Sequence, residues 1–419
     1  MRVGNIALVL ATSIILARLL GPSGYGVYSF SMSLAEVLVV PSLFGLQQLL
    51  VREIPAFQTK QAWPFLRGML RRSNQVVLTI SVTLAILVVI SGTFFFDDLS
   101  SPNYLTLCLA MLLALIMAQT RMRMSILRGL RHVLMAQLPQ MVFRPGIFVI
   151  FLCLAYFAVQ IELDSYQAMG LHVVAAVITL SVIFVVLRRA APNQIKGIDP
   201  DYETSRWFWS ALPLMFASCM NVLNRQSSIL LLGALSTSDQ VGLYRVAQRG
   251  AEMIPFALMA VNMTIAPTVS KLYTEGDLHK IQRILTTSAR AILAFSLPAG
   301  LVLIIFGPWL VPFVFGEDFA FAAYPLAILC IGQLMNVGMG SVGLVLNMTG
   351  YEKDTAKGVA IAAVVNVILN IALIPLWGVI GAAIATSAAL FIWNILLTYW
   401  VFKRTGLHTT ALGRTFRRD

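Results

Sequence analysis

The chain has 419 residues, of which 58% are hydrophobic and 11% are charged, whereas soluble domains are roughly 45–50% apolar and about 25% charged. This composition excludes an ordinary water-soluble protein and indicates a polytopic membrane protein whose solvent is the lipid bilayer. The formal net charge of +12 does not indicate nucleic-acid binding, because membrane insertion and attraction to anionic membrane lipid account for the basic excess.

Apolar segments long enough for the ~20 residues that cross a bilayer recur along the whole chain. They predict an all-α fold with about twelve transmembrane helices. The first segment begins close to Met1 and no small-residue cleavage site follows it, so we expect it to be retained and not removed as a signal peptide. The predicted spans cover residues 3–20, 25–50, 74–96, 103–120, 133–159, 166–187, 207–235, 240–269, 288–315, 322–347, 358–375 and 379–402.

A polar stretch in the middle of the chain separates six predicted helices from six. We therefore expect an N-terminal six-helix bundle over 1–187, a cytoplasmic linker over 188–206, and a C-terminal six-helix bundle over 207–402. A basic cytoplasmic tail is expected over 403–419.

The two halves share an internal repeat. Segments 15–36 and 231–252 align without a gap, and Glu36 aligns with Glu252. Because six is an even number, both bundles enter the membrane in the same sense and are related by a pseudo-two-fold axis along the membrane normal. This arrangement predicts a substrate site between the bundles.

The basic residues indicate the orientation. With the N-terminus inside, 25 of the 30 Lys and Arg residues lie in the termini or in loops on the inner side, and none lies in a loop on the outer side. This distribution predicts a bacterial-type inner membrane protein with both termini in the cytoplasm. The outer loops carry acidic residues instead, namely Asp97, Asp98, Glu162, Asp164, Asp239, Glu317 and Asp318.

No cofactor or metal site is indicated. The four cysteines lie in apolar spans without a CxxC spacing, and the four histidines show no metal-ligand spacing, so we assign no role to either set. These residues are Cys108, Cys153, Cys219, Cys330, His132, His172, His279 and His408.

Seven charged residues lie inside predicted spans, not counting Arg290, which stands at the start of the span over 288–315 and is assigned to the preceding inner loop. An arginine at the bilayer centre costs about 2.5–3.5 kcal/mol on insertion scales, so such residues usually face a partner, water or a substrate. Two carboxylates can neutralise two of five guanidinium groups, and an anionic substrate would balance the remainder. The charged residues are Arg18, Arg144, Arg225, Arg245, Arg249, Glu36 and Glu252.

Helical spacing places several of these residues on common faces. Asn221 and Arg225 are four residues apart, and Arg245, Gln248 and Arg249 follow in the next predicted span. The repeat aligns this span with the second predicted span, in which serines occupy the positions of Arg245 and Arg249. We therefore expect the C-terminal bundle to be the more positive side of the cavity.

Each arginine also has a structural interpretation. Arg18 can extend its side chain to the membrane interface, and Arg245 can serve interface packing or a gate. Arg225 and Arg249 can form purely structural pairs with the glutamates. Arg144 precedes Pro145 and can satisfy carbonyls freed by a kink.

The glutamates and the buried amides leave similar alternatives. Glu36 and Glu252 can exchange a proton or Na+ during transport, or can form salt bridges with arginine. Asn366 and Asn370, four residues apart, can line the cavity or form hydrogen bonds between helices, and the second interpretation is favoured.

Several motifs carry a family resemblance across nearly the whole chain. The sequence resembles the Wzx-type polysaccharide flippases of the MATE-like (MOP) exporter superfamily. With no thirteenth and fourteenth span, it departs from the fourteen-helix lipid II flippase branch. The motifs are ILARLLGPSGYGVYSF, LVREIPAF, ILRGLR, FRPG, VGLYRVAQRGAEMIPFALMAVNMTIAPTVSKLY and LNMTG.

The resemblance implies a V-shaped pair of lobes that carries undecaprenyl-diphosphate-linked oligosaccharide from the inner to the outer leaflet by alternating access. Polysaccharide assembly proteins are further expected partners. The residues expected to bind the diphosphate or sugars are Arg225, Arg249, Arg245, Arg144, Arg18, Asn221 and Gln248.

Three alternatives are weaker. A cation-coupled MATE-type exporter of small molecules should have a net acidic cavity, whereas this one is basic. A membrane glycosyltransferase or ligase would need an active site, and Asp97 and Asp98 lie in outer loops that are too short to build one. A scaffold for a polysaccharide assembly complex would leave the buried charges unexplained.

Overall fold

A computed structural model describes residues 2–94, 96, 98–156, 163–195, 197–411 and 413. Every secondary-structure element in these ranges is a helix, in agreement with the predicted all-α fold. Two of the predicted outer-loop acids, Asp97 and Glu162, and tail residues 412 and 414–419 lie outside the described residues.

Seven helices make up the first part of the chain. α5 contains a π-helical turn, Pro139–Phe143, directly before Arg144. The helices are α1 (Arg2–Leu43), α2 (Leu46–Thr59), α3 (Trp63–Gly92), α4 (Pro102–Gly129), α5 (Val133–Leu154), α6 (Ser165–Ala190) and α7 (Thr204–Leu235).

Seven more helices follow, and several are halves of bent spans. α8 and α9 meet at an angle of 48°, and Gly340 separates α12 from α13. The helices are α8 (Ser238–Ala251), α9 (Phe256–Thr274), α10 (Leu278–Ile305), α11 (Gly307–Phe315), α12 (Ala323–Met339), α13 (Val342–Met348) and α14 (Glu352–Thr405).

The chain is a multi-pass membrane protein. Among the described residues, eight helices are long and apolar enough to cross a bilayer, or nine if α8 and α9 form one bent span. α1 and α14 each contain a glycine with non-helical backbone, Gly21 and Gly378, at which two helices meet. At ~1.5 Å per residue, each is about twice the length that one crossing needs. The number of twelve transmembrane helices and the pseudo-two-fold relation between the two bundles remain predictions.

On the side of the membrane where the basic residues concentrate, the helices extend beyond the ends of the predicted spans. α3 begins at Trp63 and not at residue 74, and α4 continues to Gly129 instead of ending at residue 120. The span predicted over 25–50 is interrupted at Phe44 and Gly45, which both have positive φ. Hydropathy falls at the membrane surface, but helical hydrogen bonds continue through it, so residues assigned to inner loops lie on helices.

Contacts divide the chain into two compact units, unit 1 (Met1–Gln226) and unit 2 (Ser227–Asp419). The division lies within α7 and not in the linker predicted at 188–206. The linker and the first part of α7 pack on unit 1: the backbone N–H of Asp201 donates to the carbonyl of Pro64 at 3.1 Å. Phe208 contacts Phe44, with ring centroids 5.0 Å apart.

In unit 2, the segment that follows α14 is packed and not a free tail. Gln282 of α10 exchanges two hydrogen bonds with the backbone of His408, both 2.7 Å long. The N–H of Ala411 donates to the carbonyl of Gly338 at 3.1 Å. Thr409 is buried, with 1% of its surface exposed. Residues 406–411, which we call the docked segment, therefore belong to the folded core of unit 2.

The contact between the break at Gly340 and the docked segment generates a stability prediction. Gly340 has φ +74°, and a Cβ atom added there would overlap the carbonyl oxygen of Thr409. We expect Gly340→Ala to destabilise the protein by about 1–3 kcal/mol, seen as a lower thermal unfolding midpoint in detergent. Gly338→Ala is the matched control, since its Cβ would meet no atom within 4 Å. Equal midpoints for the two variants would contradict the assignment.

Candidate functional site

Four helices of unit 1 bring charged residues together inside the membrane-spanning region. Arg121 of α4 lies close enough to Glu36 of α1 and Arg225 of α7 for electrostatic interaction. Arg144 of α5 interacts with Arg121 and Glu36 in the same way. We call these four residues the unit 1 charge cluster. It holds three guanidinium groups and one carboxylate, so its formal charge is +2.

Arg144 is held in place by His172 of α6. Its Nη2 and Nε atoms lie 2.7 and 3.1 Å from Nε2 of His172, and the ring of His172 stacks on Phe148 at 4.3 Å. Because a guanidinium only donates, Nε2 is the acceptor and the proton of the neutral imidazole is on Nδ1. Nδ1 lies 2.6 Å from the Tyr28 hydroxyl and donates to it.

These contacts bear on the structural interpretation of Arg144, whereas its role in substrate binding stays a prediction. Its other hydrogen-bond partner is the sulfur of Met117, at 3.5 Å. Among the described residues, its side chain bonds to no backbone carbonyl of the Pro145 kink. The π-helical turn that precedes Arg144 therefore directs the guanidinium towards the charge cluster and away from the backbone.

Glu36 is bound by an amide. The Nε2 atom of Gln226 donates to the carboxylate. Within the described part of the chain, no arginine lies within 4.0 Å of Glu36, so it forms no ion pair. The predicted structural pairing of Arg225 with this glutamate is therefore not found.

The side chains of Arg121 and Arg225 have neither a hydrogen bond nor an ion pair with the described residues. The Arg121 side chain is half-buried and that of Arg225 is exposed. Arg121 nevertheless interacts electrostatically with both Glu36 and Arg225. Two guanidinium groups that repel each other and lack a counter-ion form a favourable place for a ligand with two or more anionic oxygens.

Two further predicted residues of unit 1 are Asn221 and Arg18. Asn221 is exposed and donates to the carbonyl of Ala217 on its own helix, at 2.8 Å. Arg18 is also exposed. The exposure of Arg18 agrees with an arginine whose side chain extends to the membrane interface.

In unit 2, one predicted arginine is paired. Arg249 Nη1 lies 2.9 Å from Glu252 Oε2. Glu252 follows Arg249 by three residues and comes directly after the last residue of α8. Arg245 is buried, with 7% of its surface exposed, and donates to Gln248 Oε1 at 3.0 Å. Arg249 thus follows the structural interpretation, and the unit 2 set has two guanidinium groups and one carboxylate.

The charged residues are shared between the two units. The unit 1 charge cluster has an excess of two positive charges and the unit 2 set an excess of one, because Arg225, which lies in the predicted C-terminal bundle, belongs to unit 1 by its contacts. That the C-terminal bundle is the more positive side of the cavity stays a prediction. Arg121 was not among the predicted site residues, because it was assigned to an inner loop. The signal for Arg121 was present in the sequence, because apolar residues continue at helical spacing after residue 120, at Met122, Ile126 and Leu127.

The buried amides of α14 join helices, as favoured from the sequence. Asn366 donates to the hydroxyl of Ser227 at 3.0 Å and Asn370 to that of Ser228 at 3.1 Å. Asn366 and Asn370 are at most 1% exposed. They stabilise the packing of α14 on the second part of α7.

The sequence matches two family models. The model described as "Polysaccharide biosynthesis protein" matches residues 3–273, and the one described as "MatE" matches residues 213–372. A relative in Haloferax volcanii, "Probable low-salt glycan biosynthesis flippase Agl15", is 29% identical over 176 residues, which are 41% of this chain. The matched part spans only 37% of that relative's length.

Solved structures share the fold. An inward-facing multidrug resistance MATE family transporter of the MOP superfamily superposes with a TM-score of 0.79 at 14% identity, over 96% of this chain and 95% of the other. The lipid II flippase MurJ, in an inward closed conformation, gives a TM-score of 0.72 at 16% identity, over 95% and 85% of the two chains. At these identities the likeness establishes the fold alone.

The contact between Arg144 and His172 generates the second prediction. We expect His172→Leu to destabilise the protein by about 1.5–3 kcal/mol, because it leaves a half-buried charged donor without its acceptor. His172→Gln can keep an acceptor and should lose less, and Tyr28→Phe removes only a neutral hydrogen bond. Thermal unfolding of the three variants in detergent measures the order. Equal losses of stability in His172→Leu and His172→Gln would show that the hydrogen-bond acceptor at position 172 does not matter.

Proposed function

Because this chain belongs to the polysaccharide biosynthesis protein family, we propose that it is a flippase for a polyprenyl-diphosphate-linked oligosaccharide. The main support is the unit 1 charge cluster, in which Arg121 and Arg225 lack a counter-ion among the described residues. A relative whose name describes a glycan biosynthesis flippase supports the same substrate class. The proposed location is a bacterial-type inner membrane, with both termini in the cytoplasm.

The charge of the ligand follows from the cluster. Three guanidinium groups and one carboxylate leave an excess of two positive charges, which a diphosphate with two negative charges balances. Arg121 and Arg225 would each donate paired hydrogen bonds to phosphate oxygens, because the planar guanidinium fits this geometry. Arg144, fixed by His172, would supply a permanent positive potential next to them.

The oligosaccharide and the lipid tail need different surroundings. We propose that the diphosphate and the first sugars enter a cytoplasm-facing cavity while the undecaprenyl tail stays in the bilayer. In unit 2, Gln248, Arg245 and Arg249 offer hydrogen bonds to sugar hydroxyls. Alternating access then exposes the cavity to the outer leaflet.

Energy can come from the membrane potential or from a cation. Moving two negative charges outward through 100 mV releases about 4–5 kcal/mol if they cross the full field. Coupling to H+ or Na+ through Glu36 or Glu252 is the alternative. Both carboxylates are engaged, Glu36 with Gln226 and Glu252 with Arg249, so cation binding would require them to exchange partners.

The basic cluster favours an anionic substrate over the cationic compounds of a small-molecule exporter. An excess of positive charge repels a cation in a medium of low dielectric constant. The proposed activity is transport without covalent chemistry.

The third prediction concerns the clamp. We expect Arg121→Ala and Arg225→Ala to lower the affinity for a fluorescent polyprenyl-diphosphate sugar by about 10- to 150-fold each, because each removes charge-assisted hydrogen bonds worth about 1.5–3 kcal/mol. Flipping is measured in proteoliposomes. Lysine at either position should restore part of the activity if charge suffices, and restore little if the paired geometry is needed.

Two further variants serve as comparisons. Arg206→Ala removes an exposed ion pair with Glu203 and should leave flipping unchanged. Arg249→Ala tests the unit 2 set, and we expect a smaller effect because this arginine already has Glu252 as a partner. Unchanged flipping in both Arg121→Ala and Arg225→Ala would refute the proposed clamp.

The fourth prediction separates the two energy sources. An inside-negative potassium diffusion potential imposed on the same proteoliposomes, without a proton or sodium gradient, should accelerate outward flipping, and a reversed potential should slow it. A rate that follows the cation gradients and ignores the potential would assign coupling to Glu36 or Glu252 instead.

A further inference from the structure

α4 carries arginine on two different faces. Arg121 points to the charge cluster, and Arg123 follows two residues later, about 200° around a helix with 3.6 residues per turn. Arg123 lines a separate cavity of about 320 Å³, formed by α2, α3, α4, α6 and residues 191–195. The four residues of the charge cluster do not line it.

Two arginines meet over one aromatic ring in this cavity. The guanidinium carbon of Arg188 lies 4.3 Å from the ring centroid of Phe184, and that of Arg123 lies 5.9 Å from it. Arg123 is further oriented by Gln119 Oε1, at 2.6 Å, and by Asn74 Oδ1, at 3.5 Å. Phe184 thus has two positive charges beside its ring, and all three side chains line the cavity.

Among the described residues, neither charge has a counter-ion. No described aspartate or glutamate lines the cavity, and Arg123 and Arg188 form no ion pair there. The Arg188 guanidinium lies over the face of Phe184 and has no side-chain hydrogen bond with the described residues. Since two neighbouring guanidinium groups repel each other, an anion between them would stabilise the arrangement.

The rest of the cavity is apolar. Its lining includes Leu66, Leu70, Met122, Ile126 and Leu187, none of which can solvate a small hydrophilic anion. An apolar chamber with two cations at its edge matches a molecule that has a phosphate at one end and hydrocarbon at the other.

The depth of the cavity fits the same kind of molecule. Arg123 lies in the last two turns of α4 and Arg188 in the last turn of α6, and both helices are apolar enough to cross a membrane. The guanidinium groups therefore lie where an apolar span ends, which is the depth of lipid headgroups.

We propose that this cavity is a binding site for an anionic glycerophospholipid, with its phosphate between Arg123 and Arg188 and its glycerol and upper acyl carbons in the apolar chamber. The bound lipid would join α3, α4 and α6 at the membrane surface. This assignment does not rest on the proposed transport function.

Native mass spectrometry of the full chain in detergent tests the site, with phosphatidylglycerol as the probe and phosphatidylcholine as the zwitterionic match of zero net charge. With about fivefold in affinity for each basic residue at the surface, we expect Arg188→Gln to weaken binding of the first phosphatidylglycerol about fivefold. The Arg123→Gln/Arg188→Gln double variant should weaken it about thirtyfold. Arg189→Gln is the control, because this exposed neighbour does not line the cavity.

Phosphatidylcholine should bind weakly to the wild type and equally to all variants. Circular dichroism and the thermal unfolding midpoint establish that each variant is folded, and Arg188→Gln alone, at an exposed position, carries the test if the double variant is not. Equal binding of phosphatidylglycerol to wild type and Arg188→Gln, or equal binding of the two lipids, would overturn the proposal. Displacement of phosphatidylglycerol by excess inorganic phosphate would overturn it too, as it would identify a site for a soluble anion.

Discussion

A positive charge in hydrocarbon must be stabilised by something close to it, and this constraint organises the interior of both units. Insertion of an arginine at the bilayer centre costs about 2.5–3.5 kcal/mol, and the arginines differ in how they are stabilised. Arg144 donates to a neutral histidine, whose other ring nitrogen donates to a tyrosine. Arg249 has a carboxylate. The side chains of Arg121 and Arg225 have neither among the described residues, which is the basis of the proposed phosphate clamp.

The same constraint explains why the polar residues without charge matter. Gln226 donates to the carboxylate of Glu36, and among the described residues no arginine forms a direct ion pair with this acid. A carboxylate held by an amide lowers the net charge of the cluster without blocking the guanidinium groups. The cluster therefore keeps donors available to an anion while its total charge stays moderate.

Hydropathy predicted the fold class and the position of every long helix, because burial in lipid depends mainly on composition. It misplaced the helix ends, since backbone hydrogen bonds do not stop at the membrane surface, and this error hid Arg121 in a loop. Arg144 and Glu36 were found because charges inside apolar segments are visible in sequence. The role of His172 was not, because a buried histidine has no distinctive spacing and its importance comes from a contact across 28 positions. The boundary within α7 depends on tertiary contacts that no local pattern contains.

The docked segment has a consequence for how the chain is made. Gln282 and Gly338 both form hydrogen bonds with residues 408–411, so α10 and α12 acquire these partners only after α14 has been synthesised. Unit 2 therefore completes this part of its core late in the synthesis of the described chain. Any reporter fused to the carboxyl end needs a linker that leaves residues 406–411 free to insert, and truncation before residue 411 should leave a chain that quality-control proteases recognise.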